Sequence, residues 1–162
     1  MAQTPVFFIS HGSPTLAIEP GLLGPRLQAL GQQLTGLRAV LVVSPHWQTH
    51  EVTVMTTAQP TTLHDFGGFA QALYQLRYPA NGQPDCAREA ARLLQQAGYA
   101  PALDDQRGLD HGAWVPLLHL LPVIIWLVRK LATLLQIFSP LVPTPSLVLL
   151  PPLPPPSVLV PK

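Results

Sequence analysis

Two histidines stand just after short apolar runs. His11 follows PVFFIS and opens HGSP, and His46 follows AVLVVS within SPHW. Both runs, residues 5–10 and 39–44, predict buried strands, and the second has the near-continuous β-branched character of a parallel strand covered on both faces. Ligands of an open parallel sheet bind beyond the carboxyl ends of its strands. If these strands are neighbours, at a spacing of ~4.8 Å, both imidazoles converge on one small volume. That suits a shared metal ion, for which neutral imidazole is the commonest ligand. Hydrogen-bonded turn residues would also fit these two positions, so two histidines alone leave both readings open.

Two further histidines lie in segments with chemistry around them. His64 opens HDFGGF, where Gly67 and Gly68 permit positive φ or close approach to a ligand. Phe66 and Phe69 could wall an aromatic pocket there, or simply plug a surface turn. His111 lies in LDHGAW, where Asp110 is placed to fix its tautomer and Trp114 to desolvate it, as a proton-transfer group requires. The alternative for that segment is an ordinary helix start capped by Asp110. His50 reads as a surface residue, and His119 as a buried or interfacial one in a leucine-rich helix. Ser13 lacks the G-x-S-x-G context of a nucleophile elbow. Cys86 is the single cysteine, which excludes an internal disulfide, reads as a small core residue and fits a reducing, cytoplasmic setting.

The elements that must position these residues alternate in type. Leu23, Leu27, Leu30 and Leu34 recur at helical spacing between the two predicted strands, giving a strand–helix–strand unit with a right-handed crossover. Residues 51–57, EVTVMTT, alternate as a half-exposed strand does. Ala87, Ala90, Ala91 and Leu94 line one face of a predicted helix over 84–97, with Gly98 as its stop. Trp114, Leu117, Leu118 and Leu121 mark another helix, with Asp110 or Gly112 near its start. The predicted class is α/β, with a central, mostly parallel sheet flanked by helices.

Composition divides the chain at Val123. All 11 glycines and all 8 acidic residues precede it, whereas residues 123–162 hold 9 prolines and only Arg129, Lys130 and Lys162 as cations. The first 122 residues carry 6 basic and 8 acidic groups, a balance of −2, and the tail adds +3. A run such as PPLPPPSVLVP cannot form a helix or a central strand, because proline lacks the amide donor. The expected organisation is therefore a folded region over 1–122 and an aberrant or disordered Pro/Leu/Val-rich tail over 123–162, with a ligand for a Pro-binding domain as the alternative for the tail. No basic stripe points to nucleic acid. The apolar stretch at 115–128 is shorter than the roughly 20 residues of a spanning helix, so no membrane association is expected.

Taken in order, HGSP at 11–14, SPHW at 44–47, HDFGGF at 64–69, YPANGQP at 78–84 and LDHGAW at 109–114 resemble the class III extradiol ring-cleavage dioxygenases, in the 4,5-DOPA dioxygenase-like branch with a subunit-B-type fold. The resemblance covers 1–122. It implies an α/β fold, a single Fe(II) or Zn(II) ion held by His11 and His46, an acid/base role for His111, and a place at the pocket rim for His64 as a second catalytic group. The implied substrates are O2 and a catechol such as DOPA, opened to a semialdehyde. Family members are longer, and their further metal-site residues come from a second half that no segment after Pro122 resembles. The expected activity of this chain is accordingly impaired. A zinc hydrolase using the same histidines, or an inactive remnant acting through its Pro-rich tail, are the competing expectations.

Overall fold

The computed structural model describes residues 5–122. The expectations for the tail at 123–162 lie outside the described residues.

A short 3-10 helix, Pro14–Ala17, follows His11 at once, and the Ser13 hydroxyl caps it by accepting from the Thr15 amide at 3.3 Å. Helix α1, Leu23–Gln33, follows the predicted leucine spacing and buries Gly24, Leu27 and Gly31. Strand β1, Thr53–Met55, is shorter than the alternating stretch around it, and helix α2 is a single turn, Gln71–Gln75. Helix α3, Pro84–Gln96, starts on its proline, where the missing amide costs nothing. Just past its end stands Gly98, whose φ of 90° lets the chain turn out of the helix as the sequence predicts. Strand β2, Ala102–Asp104, precedes helix α4, His111–Leu120, capped by Asp110.

β1 and β2 pair in parallel, Val54 opposite Leu103, with α3 packed against β1. The fold is thus α/β, a small parallel sheet flanked by helices. A second parallel contact, the isolated bridge Thr62–Leu109, aligns the chain entering HDFGGF with the chain entering α4. Two backbone bonds hold it, from the Leu63 amide to the Leu109 carbonyl and from the Leu109 amide to the Thr61 carbonyl, both at 2.8 Å.

The core is built on α4. Trp114, Val115 and Leu73 are fully buried, and Ala17 and Tyr78 complete their cluster. Burying an aliphatic side chain of this size contributes about 1.5–3 kcal/mol. Leu27 of α1 joins Leu120 and Leu121 in a second cluster, with Ile9 packed against it. The crossing of α1 and α4 is close because residue 31 is glycine: a Cβ there would run into the Leu120 carbonyl.

The two strands predicted at 5–10 and 39–44 are corrected by the structure: neither belongs to a sheet among the described residues. Val6, Phe8, Leu41 and Val43 are 94%, 100%, 80% and 92% exposed. Their β-branched and aromatic character suits a strand, but a strand exists only through a neighbour that completes its hydrogen bonds. α1 lies between the two segments in sequence as predicted, without the paired strands of a crossover unit. β2 and α2 carry too few residues to show a periodicity.

Candidate metal centre

Three chain segments bring one imidazole each to a common point. His11 lies just ahead of the 3-10 helix, His46 in the SPHW turn and His111 at the first position of α4. One nitrogen from each can be chosen so that all three lie within 4.8 Å of one another. The Nε2 atoms of His11 and His46 are 2.9 Å apart. Ring centroids are 4.9 Å apart for His11 and His46, 5.2 Å for His11 and His111, and 4.0 Å for His46 and His111. His111 is buried, His11 half-buried and His46 exposed, so the cluster opens to solvent on the His46 side.

Hydrogen bonds from two directions hold this arrangement. The Ser44 hydroxyl, two residues before His46, donates to Asp110 Oδ1 at 2.5 Å and accepts from the His46 amide at 3.3 Å. Gly112 lets the helix approach that turn, since a Cβ on it would lie 2.7 Å from His46 Cδ2. On the other side the Thr62–Leu109 bridge sets the register of two chains running the same way, which brings Asp65 opposite His111. Asp65 Oδ1 accepts from the His111 amide and lies beside the His111 Nδ1, each at 2.9 Å.

Charge is tuned along with position. Burial lowers the pKa of His11 below its ordinary value, and the neighbouring His46 and His111 lower it further against the opposing pull of Asp110 and Asp65. A neutral imidazole is the form that binds a metal. Burial alone would raise the Asp65 carboxyl, but the hydrogen bonds from His111 outweigh it and hold the group below the usual carboxylate range.

The donor set fits a divalent ion of borderline softness. Two nitrogens each about 2.1 Å from one ion lie about 3 Å apart at a right angle and about 3.4 Å apart at the tetrahedral angle of zinc sites, and those of His11 and His46 stand at 2.9 Å. A carboxylate on the far nitrogen of a metal-site histidine is the usual orienting partner of such centres, and Asp65 stands in that relation to His111.

His64 sits apart from the three. Its Nε2 lies 3.0 Å from the Leu76 carbonyl, and its ring is 5.8 Å from those of Phe66 and Trp114. Phe66 links the two neighbourhoods, 5.5 Å from the His111 ring and 5.5 Å from Phe69, and both phenylalanines pack against the core cluster around Trp114. His50 is exposed, and the His119 Nε2 lies 2.8 Å from the Leu16 carbonyl within the α4 packing.

Two expectations around His111 are corrected. Asp110 does not hold its ring; it caps α4 by accepting from the Ala113 amide at 3.2 Å and is bound by Ser44. The ring beside His111 is Phe66, while Trp114 packs near His64 and donates to the Leu63 carbonyl at 2.8 Å. The sequence reading missed Asp65, which lies 46 residues from its partner. No spacing within HDFGGF or LDHGAW pairs it with His111, because the Thr62–Leu109 bridge creates the pair.

Comparisons with known proteins agree with this geometry. Residues 5–147 match the family described as the catalytic LigB subunit of aromatic ring-opening dioxygenase, so the match runs beyond Pro122, where the sequence motifs end. The chain is 42% identical over 121 residues to the 4,5-DOPA dioxygenase extradiol of Escherichia coli (strain K12), covering 74% of this chain and 44% of that protein. It is 39% identical over 120 residues to the protein of the same name from Beta vulgaris, covering 72% and 45%. A third, from Mirabilis jalapa, is 32% identical over 119 residues, again covering 72% and 45%. The chain thus spans less than half the length of these curated relatives. It belongs to the LigB family of aromatic ring-opening dioxygenase catalytic subunits.

Proposed function

We propose that this chain carries the N-terminal half of an extradiol dioxygenase site that opens a catechol such as DOPA with O2, in an aromatic-compound breakdown step in the cytoplasm. The observation that carries the reading is the convergence of three imidazoles from three separate segments within 4.8 Å. A bound Fe(II) or Zn(II) ion would supply the charge that favours the catecholate over the catechol and the site at which O2 and the ring meet.

The chain's own residues divide the work. His11 and His46 hold the ion. His111, buried and anchored on Asp65, presents its second nitrogen beside them and moves a proton to or from the reacting oxygen, for which an imidazole is suited near neutral pH. Phe66 and Phe69 exclude water from that side and offer a face to an aromatic ring. His64 lies 5.8 Å from the Phe66 ring, with its Nε2 3.0 Å from the Leu76 carbonyl, and in this reading it forms the pocket rim and acts as the second catalytic group through its other nitrogen.

The test is O2 consumption by the metal-loaded chain on addition of DOPA or catechol, followed with the visible absorbance of a semialdehyde. Stoichiometric uptake that disappears with a chelator supports the reading. Hydrolysis of an activated ester by the zinc-loaded chain, with no O2 consumed, would replace it with a zinc hydrolase. Binding of the metal without either reaction would leave a non-catalytic remnant.

A further inference from the structure

We propose that Asp65 is a positioning residue that fixes His111 as the Nδ1–H tautomer and so leaves Nε2 free towards His11 and His46. The inference rests on the reading that His111 works at the metal centre, but its own content, which nitrogen carries the proton, can be measured without metal or substrate.

Four observations carry it. A single carboxylate oxygen, Asp65 Oδ1, takes both the backbone amide and the ring Nδ1 of His111 at 2.9 Å. Attachment at two points of one residue sets the ring's orientation as well as its place. Second, His111 is only 5% exposed, so water is not at hand to satisfy a ring N–H, and a neutral imidazole must put its one proton where a protein acceptor lies. A carboxylate accepts only, which assigns the proton to Nδ1. Third, the acidic neighbour in sequence cannot do this: Asp110 is occupied by the Ser44 hydroxyl at 2.5 Å, the Ala113 amide at 3.2 Å and Arg107 Nη2 at 3.5 Å. Fourth, the pairing is set by backbone, since the Thr62–Leu109 bridge holds the two segments in register just before Asp65 and His111. Free neutral histidine prefers the proton on Nε2, so without Asp65 the ring would turn its N–H, instead of a lone pair, towards the other two imidazoles.

The experiment is a two-bond proton–nitrogen correlation spectrum of the imidazole rings in metal-free, nitrogen-15-labelled full-length chain, recorded above neutral pH. His111 is assigned by its absence in His111→Gln. The wild type is expected to show His111 with its proton on Nδ1. Asp65→Asn, which keeps an acceptor oxygen, is expected to retain that pattern, and Asp65→Ala to convert His111 to a mixture dominated by the Nε2–H form. The Trp114 indole N–H signal, set by its bond to the Leu63 carbonyl, reports whether each variant remains folded. An Nε2–H His111 in the wild type overturns the proposal by itself, even if Asp65→Ala does not fold. An unchanged Nδ1–H pattern in a folded Asp65→Ala overturns it equally. Failure of the dioxygenase reading would show as absent O2 uptake with the tautomer pattern intact, so the two can be told apart.

Discussion

The Ser44 hydroxyl donates to Asp110 Oδ1 at 2.5 Å, across 66 residues of chain, and ties the turn that carries His46 to the cap of the helix that begins with His111. Asp110 is buried, and the bond is the shortest of its three, beside those from the Ala113 amide and Arg107 Nη2. Ser44→Ala is expected to destabilise the fold by about 1–3 kcal/mol, the cost of an under-satisfied buried acceptor. Zinc affinity should fall on the order of tenfold, as when an orienting partner of a ligand is lost. Urea unfolding and a competitive chelator titration measure the two effects separately.

Gly112 gives a prediction with an unusual sign. In a helix, glycine to alanine normally stabilises by roughly 0.5–1 kcal/mol. Here the new Cβ would lie 2.6 Å from Ser44 Oγ and 2.7 Å from His46 Cδ2. Gly112→Ala should therefore lower stability by about 1–3 kcal/mol, the usual range for overpacking, and displace His46 from the cluster. Gly67→Ala serves as the control, because a Cβ there meets nothing within 4 Å. Metal stoichiometry of the two variants after dialysis checks the contrast.

The division of labour among the histidines predicts four outcomes. His11→Ala and His46→Ala are expected to lose the metal itself. His111→Gln should keep metal and lose at least a hundredfold in turnover, the scale of a general acid–base contribution. His64→Ala should keep metal and lose less. His50→Ala, at an exposed position, should change neither. Metal analysis alongside O2 uptake decides each case.

Tyr78 sets an alkaline limit on stability. It is 4% exposed and donates to the Leu121 carbonyl at 2.8 Å, and burial pushes its pKa up to about 12. The folded state thus holds this proton more tightly than the unfolded chain, whose tyrosine titrates near 10. The contribution is fully present below about pH 10 and is lost as pH rises from there towards about 12. Tyr78→Phe should cost about 1 kcal/mol at neutral pH and flatten the decline above pH 10. A tyrosinate absorbance step near pH 12 that vanishes in the variant is the direct check.

Much of the site was legible because its residues sit in local patterns. His11 and His46 each follow an apolar run, and α3, α4 and α1 follow from periodicity and from caps such as Asp110 and Gly98. What was not legible depends on residues far apart. The Asp65–His111 pair is created by a bridge between Thr62 and Leu109, and no spacing within either segment announces it. The apolar runs at 5–10 and 39–44 misled in the other direction. Their composition fits a covered strand, yet only Ile9 of the first run reaches a core cluster. Whether such a run becomes a strand is decided by its neighbours, not by its own residues.

The three imidazoles belong to segments that are remote along the chain; His11 and His46 alone are 35 positions apart. An ion held by His11 and His46 would close the stretch of chain between them as a removable cross-link does, and would favour only conformations in which both segments have arrived. At a hundredfold excess over its dissociation constant a ligand specific to the native state adds about 2.7 kcal/mol. Occupancy then becomes a measure of foldedness: chelation should open the turn around His46 to proteases well before it melts α3, which contributes no residue to the cluster.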